Sequence, residues 1–529
     1  MEERRRSVTL LIIFIAIFFL AVARLINLQV FNYEFYKKKS LEQRTRIINL
    51  PAERGDICDR KGQILATTID TYSVFSQKKG FSWVARKLPL AEAQKLCAQD
   101  PEELLLFKEK KRIYPKGQFA AQVIGFVGMD NQGLSGVELA WDKYLRGKEG
   151  RLITEGDPQG RELLGGAIER DPGEEGMNIA RTIDENIQYV AEREIEKQIK
   201  QSRASSGMII MIDAKTGEIL ALASKPDYNP NDFAKYDSRL WHPRFIDPYE
   251  PGSTFKLITV ASALEEGVIN PDSKVKALDK IEVGGKVIEN SHAIRWEGKE
   301  VTVARVLEQS INTGTVQIGL KMGPEKFYKQ IRRFGIGDST NTGFNGESKG
   351  ILRYFENWYK PDIAMITFGQ SIALTPLQLL SAVSAFANQG KMVKPFIVKK
   401  IESNDDTYIK TFSTEYRGRA VSERTAEEMK NFMRNIVLKG SGRRASMEAF
   451  SAGGKTGTAQ KAFRGGGYMK GHYIASFIGM APLSDPRVIA LVIVDDPKGS
   501  IWGESVCGPI FKNVVEYSLR YLNVKPDML

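Results

Sequence analysis

The stretch SVTLLIIFIAIFFLAVA, behind a triple arginine at Arg4 to Arg6, limits more than any other feature what this chain can fold into. From Val8 to Ala23 only Thr9 is polar. At about 1.5 Å per residue the run is slightly short for a hydrocarbon core of about 30 Å. Leu25, Ile26 and Leu28 extend it once Arg24 snorkels to the interface. The basic cluster is expected to stay in the cytoplasm. Residues 1–7 then form a cytoplasmic stub, residues 8–28 a single-pass anchor, and all later residues fold outside the membrane. A cleaved signal peptide is the rival reading, because Ala21-Val22-Ala23 resembles an A-x-A site. Against it, no polar region precedes that site and hydrophobicity resumes directly after it.

The 529 residues exceed one ordinary domain, and with 42% hydrophobic and 26% charged residues a large core is available. A formal charge of +12 from 76 basic and 64 acidic residues is modest for this length. No basic block with interleaved aromatics indicates nucleic acid, and anionic lipid or cell-wall polymer suits the charge as well. Cys58, Cys97 and Cys507 are far apart and odd in number, and the histidines are His242, His292 and His472 alone. Neither a disulfide framework nor a metal site is indicated. Chemistry is thereby directed to Ser, Lys, Asp and Glu.

Beyond residue 40 short segments alternate with polar turns. Residues 51–66 read as an extended arm turning at Lys61-Gly62, and residues 112–150 as strands with glycine turns followed by a short amphipathic helix. The charged, turn-rich RDPGEEGMN at 170–178 is a plausible boundary. A helix is expected over 183–201, and a hairpin over 207–224 around Asp213-Ala-Lys-Thr-Gly217. YIASFIGMAP and VIALVIVDD read as two further strands, and 509–522 as a closing helix with Pro509 in its first turn. Strands at both ends of this region, enclosing a helical middle, imply one α/β domain.

Within it, EPGSTFK places Ser253 and Lys256 one helical turn apart where a loop becomes a helix. Capping is the ordinary explanation of such a serine. The following Leu257, Ile258, Val260, Ala261 and Leu264 are apolar on most sides, so Lys256 starts inside the protein, where an ammonium is costly without a partner or a task. SINTG from Ser310 and KTGTA from Lys455 complete an ordered set: S-x-x-K, S-x-N, K-T-G. Ser253 in a first turn has a free backbone N–H that can stabilise an oxyanion. Lys256, one turn on, can reach its oxygen. Burial beside a second cation, supplied by Lys455, would lower the Lys256 pKa enough to make it a base. Ser310 and Asn312 can relay a proton and hold a substrate amide. Thr456, Gly457 and Thr458 would offer an edge strand to a substrate backbone, with Lys455 meeting its carboxylate.

This triple resembles that of the serine β-lactamases and penicillin-binding proteins. With YEPGSTFK, RGDICDRKGQILA, YPKGQFAAQVIGFVGMDNQGLSGVE, FGQSIALTPLQL and ANQGKMVKP, the chain resembles a class B penicillin-binding protein, most like the division type, FtsI. One departure is Ile311 in the middle of the second motif, where polar residues are frequent. The resemblance implies a multi-domain α/β chain. A β-rich pedestal or dimerisation domain would span 29–178. A transpeptidase domain at 179–529 would have a central antiparallel sheet flanked by helices. It implies a peptidoglycan D,D-transpeptidase: Ser253 attacks a stem pentapeptide ending in D-Ala-D-Ala, and an acceptor amine resolves the acyl-enzyme. Lys256, Ser310 and Asn312 assist, Lys455, Thr456, Gly457 and Thr458 bind substrate, and no metal or cofactor is needed. β-Lactams trap the serine, and an FtsW-like multi-pass glycan polymerase and other division proteins are the implied partners, at the septum of a bacterial inner membrane.

An elongation-type transpeptidase, a membrane-bound β-lactamase or D,D-carboxypeptidase, a β-lactam receptor and a catalytically silent scaffold remain as alternatives. The receptor needs a cytoplasmic output region that the short stub does not supply, and the intact motifs oppose a silent scaffold. His472 and Trp502 are expected to pack at the core or rim, Cys507 to be a small buried residue, and the charges of 425–439 to form a solvated helix face. N-terminal sequencing of the membrane-bound protein is expected to find the residues before Val8 retained; a mature start at Arg24 would show cleavage instead.

Overall fold

The computed structural model describes residues 1–528 apart from Pro51, 77–81, Glu102, 157–161, 295–296 and 464–466. These residues divide into two compact units, one of residues 1–53 with 147–175 and one of residues 54–146 with 176–529.

In the smaller unit the helix Glu2–Ile26 runs through a π turn, Asn27–Phe31, and is followed by the helix Tyr33–Arg44. Glu2–Phe31, 30 residues, is among the described residues the one helix long and apolar enough to cross a membrane. No protein covers it: Phe14 is 69% and Leu20 71% exposed. The strands Thr45–Leu50, Gly150–Gly156 and Glu162–Asp171 form an antiparallel sheet in that order.

The larger unit holds two main sheets. In the first, Ile409–Thr411, Val398–Glu402, Asn178–Arg181, Ile57–Cys58 and Ile64–Ser76 are neighbours in that order. Ser82–Leu88 and Leu104–Ile113 both pair with Ile64–Ser76. The arm expected at 51–66 is thus woven into a sheet. Its turn is as anticipated: Gly62 has φ +83°, and Asp59 Oδ1 accepts from the backbone N–H groups of Lys61 and Gln63. Parallel pairing of Ile57 with Ile179 and of Cys58 with Ala180 ties residues from either side of the boundary expected at 178. The span 29–178 is accordingly distributed over both units.

Of the strands expected early in 112–150, residues 114–134 instead form the short helix Ala121–Ile124 and an isolated bridge between Val127 and Gly133, whereas the short helix expected after them is present as Gly136–Ala140 and Asp142–Leu145. A buried ionic cluster organises them. Glu138, fully buried, accepts from Arg54 Nε at 2.6 Å and Arg112 Nε at 2.7 Å, while Arg54 Nη1 reaches Asp142 at 2.6 Å. Burial pushes the Glu138 carboxyl up, but Arg112 and Arg54 outweigh it and hold it below its usual value. Gly125 is required here: at φ +79°, its Cβ would lie 1.8 Å from the Ser135 carbonyl oxygen.

The second sheet is antiparallel and five-stranded, in the order Ile219–Lys225, Ser206–Asp213, Val488–Asp495, Tyr468–Ala481, Gly453–Ala462. Its central strands Ser206–Asp213 and Val488–Asp495, and the second half of Tyr468–Ala481, are mostly apolar because both faces are covered there. Val488, Ala490, Val492 and Val494 join one core with Ile187, Ile195, Phe511 and Val514. The alternate Ile489, Leu491 and Ile493 join another with Leu257, Ile258, Leu379 and Met433. The first face is closed by the helices Glu185–Ser202 and Gly508–Tyr521. Asp184 caps the former, its Oδ1 accepting from the Asn186 N–H at 3.0 Å, and Pro509 lies in the first turn of the latter. In the hairpin joining the first two strands, Asp213 Oδ1 accepts from Lys215 and Thr216 N–H groups and Gly217 has φ +81°.

Removing the acid at the centre of the ionic cluster leaves the buried Arg112 guanidinium without its carboxylate and Arg54 with Asp142 alone. Glu138→Ala is expected to cost about 3–5 kcal/mol of stability, read as a lowered unfolding midpoint of the solubilised protein.

Candidate active site

A tight turn, Gly252–Phe255, leads into the helix Lys256–Glu265, and Ser253 stands in that turn, partly exposed. As the apolar spacing implies, Leu257, Ile258, Val260 and Ala261 are fully buried. The serine lines a cleft of about 870 Å³ that Ser310, Asn312, Thr456 and Thr458 also line. The third motif lies on Gly453–Ala462, the edge of the five-stranded sheet. Gly457 passes close to the turn that carries Ser253: a Cβ there would sit 2.3 Å from Ser476 Oγ, 3.0 Å from Thr254 Cγ2 and 3.1 Å from the Pro251 carbonyl oxygen. A side chain would push the edge strand off the turn.

Lys256 is fully buried. Its Nζ donates to the Ser310 carbonyl oxygen at 2.7 Å, Ser310 Oγ at 3.2 Å and Asn312 Oδ1 at 2.7 Å. Lys455, equally buried, donates from Nζ to the same Ser310 Oγ at 3.0 Å and to the Thr456 carbonyl oxygen at 3.0 Å. Two ammonium groups from two motifs therefore meet on one hydroxyl of the third. Burial, and secondly the charge of Lys455, drive the Lys256 pKa well below that of an ordinary lysine. Burial alone brings Lys455 to about 7. Ser310 holds this position with φ +54°, a left-handed backbone that a non-glycine residue adopts at a cost.

All eight residues singled out in the three motifs converge here, with three departures from the sequence expectation. Lys256 donates to the second motif, and no hydrogen bond joins it to the Ser253 hydroxyl, because the acceptors of Ser310 and Asn312 match its three donors. Lys455 lies behind Ser310, so Thr456 and Thr458 are what its motif shows to the cleft. Asn312 is engaged at both ends of its amide, its Nδ2 donating to the Glu289 carbonyl oxygen at 2.9 Å. Ile311 is buried with Ala277, Val301 and Val306, which accounts for an apolar residue at that position.

The sequence reading missed most of the cleft wall. The hairpin of Lys280–Val283 and Lys286–Glu289 contributes Lys286 to Glu289, and its Gly284-Gly285 turn between IEV and KVI was a readable signal. Phe368, Gln370, Tyr468 and Tyr473 line the cleft as well. So does Ser441, whose Oγ shares a hydrogen bond with Thr456 Oγ1 at 3.0 Å. Trp502 lines the cleft, 43% exposed, whereas His472 pairs with Asp496 at 3.1 Å and lines no part of it. Cys507 is a buried core residue, and in Glu423–Lys439 the buried face is Ala426, Met429, Phe432, Met433 and Ile436.

A serine-bearing turn beside an edge strand, with two lysines meeting on a second serine, is the arrangement that the resemblance to penicillin-binding proteins implies. Residues 207–516 match the family model described as penicillin binding protein transpeptidase domain, and residues 103–181 that of the penicillin-binding protein dimerisation domain. The chain belongs to the class B penicillin-binding proteins, the peptidoglycan D,D-transpeptidases. It is 32% identical to stage V sporulation protein D of Bacillus subtilis, over 99% of this chain and 86% of that protein. It is 29% identical to peptidoglycan D,D-transpeptidase FtsI of Escherichia coli K12, over 98% of this chain and 92% of that one. The crystal structure of penicillin binding protein 3 from Mycobacterium tuberculosis complexed with aztreonam superposes with a TM-score of 0.75 at 26% identity, covering 90% of this chain and 98% of that one.

A lysine whose folded pKa is about 7, against an ordinary 10.5, binds its proton more tightly when unfolded. Its burial therefore costs stability most below pH 7, and the cost disappears as pH rises toward 10.5. Lys455→Met is expected to raise the melting temperature at pH 7, by an amount that shrinks at pH 10, while abolishing acylation by a β-lactam. Thermal unfolding at the two pH values, beside penicillin labelling, checks it.

Proposed function

We propose that this protein cross-links peptidoglycan stem peptides during septal wall synthesis through an acyl-enzyme on Ser253. The observation that carries the mechanism is the meeting of Lys256 and Lys455 on Ser310 Oγ beside the serine. With its pKa depressed, Lys256 in its neutral form turns from the second motif and takes the Ser253 proton. Ser253 Oγ attacks the penultimate D-Ala carbonyl, and the oxyanion is met by the Ser253 N–H, which has no acceptor within its turn. Collapse breaks the peptide bond, and the proton passes through Ser310 Oγ to the departing D-Ala amine. An acceptor amine then attacks the ester, gives its proton to the same pair and restores Ser253.

The donor's backbone lies along Thr456 to Thr458 as an added strand. Its terminal carboxylate meets the Thr456 and Thr458 hydroxyls, with the Lys455 charge behind them. Asn312 holds a substrate amide by exchanging the Glu289 carbonyl for it. β-Lactams acylate the same serine. The pedestal, residues 29–178, and the anchor, residues 8–28, hold the transpeptidase region 179–529 outside a bacterial inner membrane and engage an FtsW-like polymerase and other division proteins. The membrane role is supported by the apolar helix Glu2–Phe31. The septal role is supported by the similarity to FtsI.

The test is fluorescent-penicillin labelling followed by peptide mapping. The adduct is expected on Ser253 alone, with Ser253→Ala losing essentially all labelling; a labelled Ser253→Ala protein would refute the assignment. Supplying an acceptor amine with a D-Ala-D-Ala donor is expected to give cross-linked product in preference to hydrolysis, which separates a transpeptidase from a β-lactamase or D,D-carboxypeptidase. A fluorescent fusion is expected at the septum; a sidewall pattern would favour the elongation type.

A further inference from the structure

Three residues before the nucleophile stands Glu250, a part-buried acid that the acyl-transfer scheme leaves idle. Its Oε1 accepts from the Ser371 backbone N–H at 3.0 Å and from the Tyr468 hydroxyl at 3.4 Å, while its Oε2 is buried without a partner among the described residues. These contacts join three pieces of chain. Glu250 belongs to the segment that leads into the turn carrying Ser253, Ser371 to the segment 367–374, and Tyr468 to the strand beside the K-T-G edge. The segment 367–374 is bound to the turn along its length. Gly252 N–H donates to the Gly369 carbonyl at 3.0 Å, Thr259 Oγ1 to that of Thr367 at 2.7 Å, and Tyr249 and Leu374 exchange backbone hydrogen bonds.

The fit leaves little freedom. A Cβ on Gly369 would lie 2.2 Å from the Gly252 carbonyl oxygen, and Ser371 is held at φ +56°, left-handed though not glycine. That strained N–H is the group the Glu250 carboxylate accepts. Phe368, Gln370 and Tyr468 project from the tied pieces into the cleft with Ser253.

We propose that Glu250 is a positioning residue for acyl transfer: by accepting from Ser371 and Tyr468, it fixes the nucleophile turn against two walls of the cleft. The inference rests on Ser253 being the nucleophile. Burial raises the Glu250 carboxyl above its usual range, against the Ser371 N–H, the Tyr468 hydroxyl and the charge of Lys286 on the hairpin. Glutamine keeps an acceptor oxygen within reach of the same two donors and can therefore replace it.

The experiment separates β-lactam binding from the acylation rate constant in Glu250→Ala, Glu250→Gln and Tyr468→Phe, each checked for folding by its melting temperature. Glu250→Ala is expected to slow acylation by about tenfold or more with little change in initial binding, since small displacements of a reacting group are costly. Glu250→Gln, which keeps the acceptor oxygen, is expected within about threefold of the parent. Tyr468→Phe is expected to slow acylation less than Glu250→Ala, and to add nothing when combined with Glu250→Gln in excess of its own effect. The pH dependence set by the two lysines is expected to be unchanged in all of them. Folded Glu250→Ala protein acylating at the parent rate would overturn the proposal, as would Glu250→Gln as slow as Glu250→Ala. Should Glu250→Ala not fold, a Tyr468→Phe protein with the parent rate would overturn it instead. Labelling of Ser253 in the parent tests the nucleophile separately, so the two readings fail in distinguishable ways.

Discussion

Two buried ammonium groups sharing one serine hydroxyl is the arrangement on which the rest of this structure depends. Lys256 and Lys455 are each fully buried and repel one another, yet both donate to Ser310 Oγ. Such a cluster is tolerated only where the surroundings over-determine it. The surroundings here are a helix sunk in one core, a sheet packed on both faces, and a loop pinned by the apolar Ile311. The stability of the large core carries a locally unfavourable site, and that site in turn yields a lysine able to act as a base.

Much of this was legible in the chain because local chemistry and global packing agree. Asp184 and Pro509 mark helix starts, and the Asp213 turn closes the hairpin it announces. The S-x-x-K lysine is buried because its helix, apolar on most sides, is sunk in the core from Lys256 to Ala263. The K-T-G strand lies at an edge, where its glycine allows close approach. The rest was hidden for physical reasons. That Lys455 lies behind Ser310 depends on how two distant segments pack, which no local pattern encodes. Residues 114–134 read as strands because their apolar residues and glycines are closely spaced, whereas the short helix after them was legible; the buried Arg54, Arg112 and Glu138 that organise this region meet only in three dimensions.

How the segments on the two sides of residue 178 pair was beyond the sequence. RDPGEEGMN, residues 170–178, looks like a linker, and its last residue already opens the strand Asn178–Arg181. That strand pairs with Ile57–Cys58 on one side and with Val398–Glu402 on the other. Residues 54–146 are thereby joined by backbone hydrogen bonds to the part of the chain that carries the motifs. A sheet shared in this way transmits displacement more stiffly than a flexible tether would.

The left-handed Ser310 has a consequence for how this site is to be dissected. A backbone kept in a costly conformation by hydrogen bonds from two lysines is free to relax once either donor is lost, and the hydroxyl then moves from the other lysine as well. The members of the cluster are thus one thermodynamic unit. Single replacements at Lys256, Ser310 or Lys455 each report the collapse of the whole, their energies will not sum, and only double-mutant cycles can apportion them.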